Sequence, residues 1–135
     1  MNRTVLIVED DRDLREAIGE ILEHDRFHVM HAAHGAEAID ILRTSSELPE
    51  LILLDLMMPV MNGMQFRAIQ QNDPRLAAIP VVVMSAVTDG ERKASALRPA
   101  AFLPKPADRE QILAVVRRFC GTQHGAGAEP LPSEA

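Results

Sequence analysis

Acids, a serine and a lysine stand where the apolar runs of this chain stop. Asp55 closes Leu51-Ile52-Leu53-Leu54, while Glu9 and Asp10, with Asp11 behind them, follow Thr4-Val5-Leu6-Ile7-Val8. Ser85 follows the run from Ile79 to Met84, and Lys105 comes just after the run from Ala100 to Leu103. Carboxylates gathered in one crevice repel one another unless a cation shares the site. An all-oxygen donor set with positions open to water and phosphate suits Mg2+ better than Zn2+. Asp10 and Asp55 are candidates for direct ligands, Glu9 for a ligand through water, and the backbone carbonyl of Met57 for a further oxygen. Asp11, one residue deeper in the loop, is a more doubtful ligand, its alternative role being to favour the start of the next helix. A carboxylate so placed can attack phosphorus and form an aspartyl phosphate, with the metal screening the approach of two anions. Lys105 would then neutralise one phosphoryl oxygen and Ser85 donate to another. Alone, each is an ordinary surface lysine or turn serine; the set of four at four strand ends is far more specific.

The elements that must position them are read from hydrophobic period. Runs with no alternation are strands buried on both faces of a parallel sheet. Thr4–Val8, Leu51–Leu54 and Ile79–Met84 are such runs and are expected to be central; the mixed strand from Phe27 to Ala32 and the short one from Ala100 to Leu103, beside Pro104, are expected at the edges. Between them the apolar spacing predicts helices. The first is capped by Asp13 with Glu16 as its box partner and turns Leu14, Ala17, Ile18, Ile21 and Leu22 inward. The second runs from Gly35 to Arg43, with Ala38, Ile41 and Leu42 inward, and a loop follows to Glu50. The third opens at Gly63 and runs to about Asn72, before Asp73-Pro74. A weak fourth starts at Thr88 or Asp89 and is closed by Pro99. The last is capped by the Asp108/Gln111 box, buries Ile112, Val115, Val116 and Phe119, and ends at Gly121. Alternating strands and helices give an α/β fold with right-handed crossovers and a five-stranded, doubly wound parallel sheet. The ranking of central and edge strands favours the order 2-1-3-4-5. Its switch point then falls between strands one and three, whose carboxyl ends carry Glu9, Asp10 and Asp55.

At 135 residues the chain is long enough for one domain with a proper core, and only 3% of it is aromatic, so that core is aliphatic. The net charge of -6 argues against a nucleic-acid face, and the basic pairs Arg92-Lys93 and Arg117-Arg118 read as solvated helix surface. A single cysteine, Cys120, cannot form an internal disulfide and fits a reducing compartment. No apolar run is long enough to span a bilayer and no signal region precedes the first strand, so a cytoplasmic protein without membrane contact is expected. The segment from Thr122 to Ala135, rich in Gly, Ala, Pro and Glu, reads as a disordered tail or linker, leaving residues 1–121 as the domain.

The joint pattern resembles the receiver domain of bacterial two-component response regulators, from about Thr4 to Gly121. The matching residues are Glu9-Asp10 after Val5-Leu6-Ile7-Val8, Asp55 in Leu53-Leu54-Asp55-Leu56-Met57-Met58-Pro59 with Gly63, Ser85-Ala86, and Phe102 three before Lys105-Pro106. The resemblance implies a flavodoxin-like (βα)5 fold and a phosphorylation-activated switch in a two-component system or phosphorelay. It makes Asp55 the phosphoacceptor, Glu9 and Asp10 the acidic pair, Lys105 the lysine whose bond to Pro106 is typically cis, Ser85 the switch hydroxyl and Phe102 the aromatic that swings inward. The expected partners are a histidine kinase or phosphotransfer protein and a downstream protein bound by contact. Arg98-Pro99 departs from the Gly-Ala pair many receivers carry before the switch aromatic, and Met57 and Val87 offer no polar side chain at the positions that tune dephosphorylation.

Two rival functions remain to weigh. A phosphohydrolase with an aspartyl nucleophile often needs a second Asp two residues on, where this chain has Met57. A receiver-like interaction module that is never phosphorylated has no use for the intact acidic set with Lys105. The chain is therefore read as a phosphoacceptor signalling domain, catalysing only its own phosphorylation and dephosphorylation, and not as an enzyme. His24, His28, His31 and His34 cross two structural periods and would not converge on a metal. Phe27, Phe66 and Phe119 are read as core, and Met57, Met58, Met61 and Met64 as gap-fillers rather than a partner-binding patch.

Overall fold

The computed structural model describes residues 3–56, 58, 60–86 and 98–120. In chain order the elements are β1 (Thr4–Val8), α1 (Arg12–His24), β2 (His28–Ala32), α2 (Gly35–Thr44), β3 (Leu51–Asp55), α3 (Gly63–Gln71), β4 (Val81–Ala86), β5 (Ala101–Lys105) and α4 (Arg109–Cys120). All strand pairs are parallel and their order is β2-β1-β3-β4-β5, the order that the ranking of apolar runs favours. The helix expected between Thr88 or Asp89 and Pro99, Val87, and the tail beyond Cys120 lie outside the described residues, Arg98 and Pro99 excepted.

Strand alternation sorts the apolar side chains into two layers. Leu6, Val8, Ile52, Leu54, Val81 and Val83 face one way, onto Ala38, Ile39 and Leu42 of α2 and Phe66 of α3. Val5, Ile7, Leu51, Leu53, Val82 and Met84 face the other, onto Ile18 and Leu22 of α1 and Ile112, Leu113 and Val116 of α4. Val5 to Val8 and Leu51 to Leu54 are wholly buried, as strands covered on both faces must be.

Several local readings change. The N-cap of α1 is Asp11, not Asp13: its Oδ1 accepts the Leu14 N–H at 3.1 Å, and Asp13 sits in the first turn. Both acids have the right side chain, and an N-cap at Asp11 keeps the loop from Glu9 short. Ala17 is exposed, whereas Gly19 is buried, a Cβ there falling 2.9 Å from His31 Cε1. Ile39 and Leu113 are buried beside the expected positions, and Ile41, Val115 and Phe119 only partly so. Arg117 is not simply solvated: its guanidinium makes a two-pronged pair with Asp25, at 2.8 and 3.0 Å, joining α4 to the end of α1. Met58 and Met61 fill space against the α2–α3 layer as expected, but Met64 and Val60 are exposed. The Asp108/Gln111 box forms as expected, at 2.8 and 2.9 Å, and Asn62 with Gln65 makes a second at the start of α3.

Candidate functional site

Register brings the chemistry together. Val8 pairs with Leu54, so the next residues, Glu9 and Asp55, emerge side by side from β1 and β3. Asp55 pairs with Met84, which puts Ser85 one step beyond it on β4, and Ala86 pairs with Lys105 on β5. Four strand ends thus deliver their polar residues to one edge of the sheet, where an open parallel sheet keeps its crevice.

Glu9, Asp55 and Ser85 are buried, with 1%, 4% and 4% of their surface exposed, and Asp10 is exposed. Carboxylate oxygens of Glu9, Asp10 and Asp55 lie within 4.8 Å of one another. Lys105 bridges two of these acids, its Nζ 2.7 Å from Glu9 Oε1 and 3.1 Å from Asp55 Oδ1. The other oxygen of Glu9 accepts the Asp11 N–H at 3.1 Å. Burial raises the Glu9 pKa; the bonds from Lys105 and Asp11 lower it, nearby Asp55 raises it, and the net direction is up. Burial alone would lower the Lys105 pKa, but its contacts with Glu9 and Asp55 outweigh this and raise it. The buried carboxylates of Glu9 and Asp55 repel each other across the lysine, a repulsion that a bound cation would relieve.

Hard oxygen donors from Glu9, Asp10 and Asp55 within this span could hold a metal ion. Met57, whose carbonyl was expected to join them, lies outside the described residues. Asp11, the more doubtful ligand candidate, turns its side chain to the helix cap. None of the four histidines enters a metal-ligand cluster among the described residues. The Lys105–Pro106 peptide bond is cis.

Residues that the motifs did not reveal hold this edge in place. Arg15 donates through Nη1 to the Glu9 carbonyl at 2.7 Å, fixing the acidic turn from α1. The one available signal was an arginine a turn and a half beyond the acids. Gly63 lies so close beneath the loop that a Cβ would come 2.9 Å from the Asp55 carbonyl oxygen and 3.0 Å from Leu56 Cα. Phe102 of β5 pairs with Val83 of β4, is half buried and packs on the α2–α3 layer, the face that alternation also gives to Ser85.

The family model for the response regulator receiver domain matches residues 5–117. This chain belongs to that family. Receiver domains are phosphoryl-accepting signalling switches. Response regulator Rre1 of Synechocystis is 34% identical over 93% of this chain and 56% of its own length. The chain spans about half the length of several curated relatives it matches. The phosphorylated cyanobacterial phytochrome response regulator RcpA is 28% identical, with a TM-score of 0.76 over 98% of this chain and 100% of that one. The receiver domain of a sensor histidine kinase from Pseudomonas aeruginosa PAO1, solved with a magnesium ion in its active-site cleft, has a TM-score of 0.81 at 21% identity, covering 90% of this chain and 100% of that one. The last likeness speaks for the fold alone. Among the described residues no helix is long and apolar enough to cross a membrane.

Proposed function

We propose that this receiver accepts a phosphoryl group on Asp55 from a histidine kinase or phosphotransfer protein, with Mg2+ at Glu9, Asp10 and Asp55, and signals through protein contact. The observation that carries this reading is the convergence of the three carboxylates under a lysine that already touches two of them. A carboxylate oxygen of Asp55 forms the new bond to phosphorus as the phosphorus–nitrogen bond of the donor breaks. Bound Mg2+ supplies charge neutralisation between the incoming phosphoryl oxygens and the acids. Lys105 moves its charge from Glu9 and Asp55 to a phosphoryl oxygen, a short shift since it begins within 3.1 Å of the acceptor carboxylate. Ser85, at the neighbouring strand end, donates to a second oxygen. Its movement frees space on the face it shares with Phe102, and burying that ring is worth about 1.5–3 kcal/mol, enough to bias a two-state equilibrium.

Incubation with acetyl phosphate and Mg2+, read by intact mass, tests the reading. One hydroxylamine-sensitive phosphoryl group is expected, dependent on the metal and absent from Asp55→Asn. Labelling that persists in Asp55→Asn would overturn it. Asp10→Ala should weaken Mg2+ binding more than Asp11→Ala, since Asp11 is engaged in the α1 cap. Ser85→Ala should still accept phosphate but give smaller amide shifts around Phe102.

A further inference from the structure

The loop that leaves Asp55 is gripped from the side by the start of α2. The Gly35 N–H donates to the Met61 carbonyl at 3.0 Å. A Cβ on Gly35 would fall 2.8 Å from Met61 Cγ, 2.9 Å from its carbonyl oxygen and 3.0 Å from its Sδ, so the approach depends on glycine. Beyond Met61 the Gly63 N–H closes back on the Leu56 carbonyl at 3.0 Å. The loop is therefore tied to β3 at its root and to α2 near its far end.

What places Gly35 is an unusual cap. His34 is the N-cap of α2, and its Nδ1 accepts the Glu37 N–H at 3.2 Å. Glu37 answers by accepting the Ala33 N–H through Oε1 at 2.6 Å. The common caps, Ser, Thr, Asp and Asn, accept through oxygen. An imidazole accepts at Nδ1 only as the neutral ring with its proton on Nε2; the cation has donors at both nitrogens. A protonated His34 would aim an N–H at the Glu37 N–H and place positive charge at the positive end of the helix. The charged side chain bonded at this junction is that of Glu37 on α2; from β1 the Glu9 N–H donates to the Ala32 carbonyl, and the β3–α3 loop presents the neutral Met61.

We infer that His34 is a positioning residue whose proton-sensitive cap holds Gly35, and through it the loop beside Asp55, so that phosphoryl acceptance weakens as His34 protonates. The last step rests on the proposed role of Asp55; the coupling of His34 to the loop does not. Two measurements on the parent and on His34→Asn, whose amide oxygen can cap at any of these pH values, separate the steps. The first follows the amide resonances of Gly35, Met61 and Gly63 and the His34 ring from about pH 8 to about pH 5, the range in which histidines change charge. In the parent the three amides should titrate with the His34 ring, and in His34→Asn that component should vanish. Loop amides that stay still as His34 protonates, or that titrate alike in both proteins, would overturn the coupling whether or not Asp55 is phosphorylated. The second is the initial rate of phosphorylation by acetyl phosphate with Mg2+, taken as the ratio of parent to His34→Asn. That ratio should fall by roughly 2- to 30-fold on acidification, the range that loss of an N-cap corresponds to. A flat ratio in a protein that does phosphorylate Asp55 would overturn the functional step and leave the phosphoacceptor assignment standing.

Discussion

The two layers on either side of the sheet are fastened by different means. The α2–α3 layer is laced with polar bonds, those of Gln70 at its buried centre. Gln70, with none of its surface exposed, donates to the carbonyls of Leu76 and Ile79 at 2.9 and 3.0 Å and accepts from Arg67 at 2.7 Å. Arg75 reaches back to the carbonyls of Leu42 and Ser45 at the end of α2, and Arg67 donates to the Arg98 carbonyl ahead of β5. The α1–α4 layer is packed almost entirely by aliphatic contact, with the Arg117–Asp25 pair at its far end. Beside Lys105 it opens into an apolar groove of about 380 Å3 lined by Leu14, Ile18, Met84, Leu103 and Ala107. Directional bonds fix a frame, whereas apolar contact tolerates small rearrangement. The laced layer is the one that backs the loop beside Asp55 and the half-buried Phe102.

The sharpest way to break this contrast is Gln70→Ala. It leaves two buried carbonyls without their donor, at roughly 1–3 kcal/mol for each unsatisfied group, and opens a cavity as well. A loss of about 3 kcal/mol or more in urea unfolding is expected. Leu113→Met, a volume-conserving change in the apolar layer, should cost less than about 1.5 kcal/mol. Equal losses would mean that the polar lacing is not what holds α3 down.

Arg75→Ala comes next. The carbonyls it serves belong to the last turn of α2 and can turn to water, so a loss of about 1 kcal/mol is expected, with faster amide exchange confined to the end of α2. Smaller still is the ion pair of the other layer. Asp25→Ala or Arg117→Ala should cost about 0.5–1 kcal/mol at low salt, because the arginine is partly exposed, and the difference should shrink at high ionic strength. A double-mutant cycle reads the pair directly.

The fold and the polar edge were legible because both follow from one signal. Unbroken aliphatic runs name the buried strands, and the polar residues just past them can only sit at the sheet edge. That logic placed Glu9, Asp10, Asp55, Ser85 and Lys105 together without any knowledge of distance. It failed for Gln70, because a glutamine on a helix with mixed spacing reads as solvent-facing until the carbonyls of a later turn are seen to fold over it. It failed for Asp25 and Arg117, 92 positions apart in the sequence, since nothing local marks either as paired. It misplaced the cap of α1 because Asp11 and Asp13 carry the same side chain, and only the geometry of the Glu9 turn chooses between them.

Lys105 is where the two layers meet: it lines the apolar groove, and its ammonium crosses the sheet edge to Glu9 and Asp55. Its titration gives the smallest and most specific test. A lysine whose pKa is raised in the folded state adds stability that is fully present below the ordinary lysine range and is lost as pH rises through the raised value. Glu9, raised chiefly by burial, works against this at the acid end. The folded protein holds that proton more tightly than the unfolded chain, so stability falls as pH climbs from the ordinary glutamate range through the raised value. Without metal, the urea midpoint should therefore decline first through the Glu9 titration and again on the alkaline side. Lys105→Met should abolish the alkaline decline. It should also enlarge the acid-side one, because Glu9 and Asp55 then face each other with no ammonium between them. Saturating Mg2+ should reduce the acid-side decline in the parent, since the ion favours the ionised carboxylate. An unchanged profile in Lys105→Met would show that the lysine exerts its charge on solvent and not on the two acids.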